Sequence, residues 1–202
     1  MQVILDELPV NLTGPSLGAL LDEARDRLAD GGRVVVEVAV DGAKLDEDAI
    51  DRRRAEDVAA YEVRLTSADP KALAVETLRQ VDERLTDAET AQREAADLLQ
   101  SDAPQPALKK VGESIEAWLQ VQQAVLHSAT LLGLNLDAID VDGEPAHALT
   151  EQALDRLNDV KDHLQSGDTV ALADSLAHEW PATTAKWHRL IERLIQQITP
   201  NA

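Results

Sequence analysis

The chain is 202 residues long, carries no cysteine and no phenylalanine, and sets 38 acidic against 19 basic side chains for a formal net charge of −19. Disulfides, thiolate catalysis and thiolate metal ligation are therefore excluded, and the core has to be built from Leu, Val, Ile and Ala around three tryptophans and one tyrosine. The charge repels phosphate backbones and anionic lipid, so neither nucleic acid nor membrane is an expected partner; it serves solubility, adaptation to salt, or recognition of a basic protein.

At the N-terminus, MQVILDELPVN places Asp6 and Glu7 where a secretory leader would carry Lys or Arg, and no apolar run in the chain reaches membrane-spanning length. A cytoplasmic location is the expectation. Val3, Ile4 and Leu5 open a first strand over residues 2–8, ended by Pro9, which cannot donate to a ladder. Ser16 is placed to cap a helix whose apolar residues Leu17, Leu20, Leu21, Ala24 and Leu28 recur at three and four, up to the stop Asp30-Gly31-Gly32. The run RVVVEVAV puts Val34, Val36, Val38 and Val40 on one face and meets Asp41-Gly42, a strong hairpin signal, after which Ala43 to Leu45 pairs back. The charged stretch DEDAIDRRRAED reads as a short helix or loop, and YEVRLTS as a strand with Tyr61, Val63 and Leu65 on one side. A small module of three or four strands with one or two helices is predicted for residues 1–68.

Asp69 before Pro70 marks a helix start, because a carboxylate can cap and proline's missing N–H costs nothing in the first turn. From there the chain reads as helical, giving a second domain over 69–202. Leu78, Val81, Leu85, Ala88, Gln92, Ala95 and Leu99 keep a three-four spacing, broken by SDAPQP. A second helix carries Leu108, Val111, Ile115, Trp118, Gln122, Val125, Ala129 and Leu132 up to Gly133, a left-handed cap. After the loop LNLDAIDVDGEP, a third helix presents Leu154, Leu157, Val160 or Lys161, and Leu164 before Gly167. A fourth starts at Asp168 and continues through Trp187, Leu190, Leu194 and Ile198. Pro181 has to kink or split it, since its ring collides with the Ala177 carbonyl. The predicted fold class is α+β: the small module followed by an antiparallel four-helix bundle with a kinked last helix.

Motifs that carry chemistry are scarce. Neither a dinucleotide-binding nor a nucleotide-phosphate glycine loop occurs. Asp137, Asp140, Asp142, Gly143 and Glu144 suggest a calcium loop, but with Gly143 at its sixth position the first ligand would be Ala138 and the twelfth Leu149. Asp174 and His178 share a helix face beside Glu179, with His188 further on, and these four are the candidate metal ligands, for zinc or iron. Bundle metal sites bring Glu-x-x-His pairs, whereas Val160, Ser175 and Ala185 precede His163, His178 and His188, so no metal and no cofactor are expected. No catalytic residue is assigned. Trp180, expected to be only partly covered beside the proline, is the candidate interaction residue, and Trp187 is expected in the core.

Asp168, Val170, Ala173, Asp174, Leu176, Glu179 and Trp187, within residues 167–187, resemble a pattern of a family of uncharacterised bacterial helical proteins, with Pro181 one place earlier than in that pattern. The resemblance implies helical structure and no activity. In general architecture the chain also resembles bacterial secretion or flagellar export chaperones, an analogy of fold alone. The expected function is a non-catalytic interaction protein, an adaptor or chaperone-like module with a protein partner or self-association. The alternative is a metal-dependent enzyme around Asp174, His178 and Glu179. A ubiquitin-type modifier is disfavoured by the ending Thr199-Pro200-Asn201-Ala202 in place of two glycines.

Overall fold

A computed structural model of the chain describes residues 2–55, 62–101 and 103–199. It has mixed α and β structure and divides into two compact units, Met1–Leu73 and Ala74–Ala202.

The first unit holds strands β1 (Gln2–Leu5), β2 (Leu8–Val10), β3 (Val34–Val40), β4 (Ala43–Leu45) and β5 (Glu62–Ala68), with helices α1 (Leu17–Ala29) and α2 (Glu47–Arg53). The sheet runs β2-β1-β5-β3-β4; β1 and β5 are parallel and the other pairs antiparallel. Five strands form where three or four were expected, because residues 2–8 are not one strand. Asp6 and Glu7, at φ of 49° and 66°, fold the chain back in a two-residue turn, and Leu5 pairs with Leu8. Left-handed backbone without glycine is costly, and here Asp6 offsets the cost with bonds of its own. Its carboxylate accepts from the Ser67 N–H at 2.7 Å and from the Ser67 hydroxyl at 2.6 Å, while Arg33 Nε donates to the same hydroxyl at 2.7 Å. Those bonds, then the positive charge of Arg33, hold the Asp6 carboxyl below its ordinary range.

The expected face of β3 is also corrected. Val35 pairs with Ser67 and Glu37 with Thr66, so Val36 is the extra residue of a bulge and stands 45% exposed. The bulge flips the alternation and brings Val35 to the side of Val38 and Val40. There they meet Val3, Leu5, Val63 and Leu65 beneath Leu17, Leu20, Leu21, Ala24 and Leu28 of α1. Ser16 caps α1 through the Ala19 N–H, and Asp46 caps α2 through Ala49. The Gly18 N–H, an orphan of the first turn, donates to the Arg54 carbonyl at 2.9 Å; a Cβ on Gly18 would lie 2.7 Å from that oxygen, so only glycine allows the approach. Tyr61 lies outside the described residues.

The division between units falls after Leu73, inside α3 (Pro70–Gln100), whose start is capped by Asp69 through the Lys71 N–H. The second unit continues with α4 (Pro104–Leu132), a 3-10 turn (Leu136–Ala138), strands β6 (Asp140–Val141) and β7 (Glu144–Pro145), and helices α5 (Ala146–Ser166), α6 (Thr169–Asp174) and α7 (Trp180–Ile198). Leu78, Val81, Leu85, Ala88, Gln92 and Ala95 of α3 are buried, with Leu99 at the margin. On α5 the buried line is Ala146, Leu149, Ala153 and Val160; Leu154 points out and Lys161 is exposed. The segment expected as a loop before α5 is a β6–β7 hairpin, turned by Asp142 and Gly143 at positive φ. Among the described residues no helix is long and apolar enough to cross a membrane.

Candidate functional site

Trp180 and Trp187 are seven apart on α7 and present one face, which packs on Trp118 of α4. Their ring centroids lie 4.9 Å and 5.4 Å from that of Trp118, tilted and edge-on respectively. Trp187 Nε1 donates to the Leu149 carbonyl at 3.3 Å. Trp180 is 1% exposed, which corrects the expectation that it is partly covered: its ring is core and offers no surface to a partner. Next to Pro181 the predicted fourth helix divides into α6 and α7, which stay joined in one continuous helical path. A π turn over Ser175–Glu179 joins α6 to α7, with the Trp180 N–H donating to the Ser175 carbonyl, and the wider turn absorbs the donor that proline lacks.

Around that turn, Asp174, His178 and Glu179 line a surface groove of about 510 Å³ together with His163 and Ser175. The structure thus brings three of the four candidate ligands to one place. His188 is elsewhere, with Nδ1 2.6 Å from an Asp82 carboxylate oxygen on α3. Glu179 is occupied by Arg156 of α5 and by the Ser175 hydroxyl at 3.0 Å. Among the described residues no three His, Asp or Glu side chains are placed to hold a metal ion. The acidic hairpin is similarly engaged within the protein. Asp140 accepts from the Gly143 N–H at 3.0 Å, Asp142 meets Arg189 at 2.6 Å, Asp137 lies 2.8 Å from His147, and Glu144 takes Lys186 at 2.8 Å. Bonds from Lys186 and then Gln152 hold the Glu144 carboxyl below the usual carboxylate range. These carboxylates tie the hairpin to α5 and α7.

The feature that sequence reasoning missed is on α4. Its expected seam mixes two faces. Val111, Trp118, Val125 and Ala129 are buried, joined by Ala107, Ser114, Val121 and Ser128. Leu108, Ile115 and Gln122, each three residues before one of these, sit about 60° round the helix. They alternate with Gly112, Leu119 and Leu126 in a second, lateral line at spacings of four and three. Leu108, Leu119 and Leu126 are 50%, 53% and 46% exposed, Ile115 and Gln122 are half-buried, and Gly112 faces open space. The spacing is that of a coiled-coil seam without its partner. It overlaps residues 117–136, the longest run in the chain without Asp, Glu, Lys or Arg. Compared with protein-family models, with curated proteins and with solved structures, the chain matches none of them.

Proposed function

We propose that this chain is a non-catalytic protein-interaction module, adaptor or chaperone-like in character, that engages a protein partner through the lateral stripe of α4 on an antiparallel four-helix bundle. The observation that carries the reading is the stripe: three half-exposed leucines at heptad-type spacing, running into the uncharged stretch of a chain whose net charge is −19. An exposed apolar line of this kind fits recognition of another helix, and covering each half-exposed leucine is worth about 1 kcal/mol. The bundle is supported by contacts between helices. From Leu149 to Arg156 the numbering rises along α5 while the partners fall from Trp187 on α7 to Glu179 in the π turn that precedes it, the sense of antiparallel packing. Lys110 of α4 meets Glu94 of α3 at 2.8 Å across their short connection, and His188 joins α7 to α3 at Asp82.

Affinity capture from the native host tests the reading, with wild type set against a Leu119→Gln, Leu126→Gln double variant. A protein retained by wild type and lost by the variant is expected. Retention that the variant leaves unchanged overturns it, as does the absence of specific retention together with a chain that stays monomeric at millimolar concentration.

A further inference from the structure

Two copies of a chain with a net charge of −19 repel wherever acidic surfaces meet, and a twofold interface sets each patch against itself. Self-association therefore needs a face free of carboxylates, whereas a basic partner would be drawn to faces rich in them. Residues 117–136 provide the longest such stretch, and the α4 stripe runs into it. The stripe is also symmetric in spacing about residue 117. In an antiparallel pairing Leu108 falls opposite Leu126, Ile115 opposite Leu119, and the small Gly112 opposite the long Gln122. Counting the charges of α4 itself, that pairing lays Lys109, Lys110 and Glu113 along the uncharged half of the other helix and leaves Glu116 alone near its own copy. A parallel pairing would set all four beside themselves.

The geometry points to a second copy of this chain as the occupant of the α4 stripe, packed antiparallel about a twofold axis near residue 117; this rests on the interaction reading above. A stripe about 27 Å long and one helix wide covers less than the roughly 800 Å² per partner of a standard interface, so the dimer is expected to be weak. Salt tightens it, because raising ionic strength from about 0.1 M to about 1 M shortens the screening length from about 10 Å to about 3 Å and removes repulsion between like-charged chains.

Sedimentation velocity on the full chain from about 5 µM to about 1 mM, a range that reaches weak association, tests this. Wild type is expected to pass from monomer to dimer, more readily at high salt, while the Leu119→Gln, Leu126→Gln variant, folded by circular dichroism, stays monomeric. Wild type monomeric throughout, or a variant that dimerises equally, overturns the inference; in the first case stripe-dependent capture of another protein from host extract would leave the interaction reading standing. Because the chain lacks cysteine, a spin label on Lys109→Cys reads the orientation. The antiparallel pairing sets the two labels about 24 Å apart along the axis, and an antiparallel arrangement is overturned by labels side by side.

Discussion

Gln92 lies in the buried line of α3 between Ala88 and Ala95, is 2% exposed, and has neither its amide oxygen nor its amide nitrogen paired among the described residues. Such a group loses its hydrogen bonds to water on folding without regaining them, at roughly 1 to 3 kcal/mol on protein mutational scales. Gln92→Met keeps the length and unbranched shape of the side chain and a similar helix propensity while removing both polar atoms. It is expected to stabilise the second unit by roughly 1 to 3 kcal/mol. Urea denaturation followed by tryptophan fluorescence reads the change, because Trp118, Trp180 and Trp187 all lie in that unit. The midpoint should rise with an unchanged slope. A loss of more than about 1 kcal/mol would show that the amide is satisfied, through an ordered water for instance, and would refute the reasoning.

Trp180→Ala and Trp187→Ala both empty fully buried sites against Trp118, so each is expected to cost roughly 3 to 5 kcal/mol in the same denaturation experiment. A loss under about 1 kcal/mol confined to Trp180→Ala would restore that ring to the surface. Asp6 sets a pH dependence of known sign. Its folded pKa lies below the ordinary 3.8, so its contribution is fully present above that value and is lost as pH falls through the lower, folded one. The amide shift of Ser67, whose N–H donates to Asp6, is expected to titrate with a midpoint below 3.8, and a midpoint at or above 3.8 contradicts the network.

Where a local signal exists, the sequence carries it. Ser16, Asp69 with Pro70, Gly133, Asp168 and the Asp41-Gly42 turn act through their own backbone neighbours, and each stands where its chemistry places it. The β1–β2 turn was illegible because Asp6 and Glu7 adopt left-handed φ without glycine or asparagine, held by Ser67 some sixty residues away. The bulge at Val36 hides in a run of three valines, any of which suits either face. On α4 the two lines share one periodicity, and the buried one uses Ala107, Ser114 and Ser128, small residues that hydrophobicity does not mark. The same effect misplaced the α5 face, where Ala153 is buried and Leu154 is not. Trp180 next to a proline gave no hint that Trp118, far away in sequence, would cover it. At the candidate metal site, proximity on one helix was readable, while the Arg156 that occupies Glu179 comes from α5.

Photo-crosslinking from position 119 in the native cell tests the central claim most directly. A photoreactive amino acid replacing Leu119 is expected to cross-link the chain to a protein partner, a second copy among them, in quantity well above that from the exposed, polar position of Glu151 on α5. Equal yields from the two positions, or none from 119, would contradict an interaction module that works through α4.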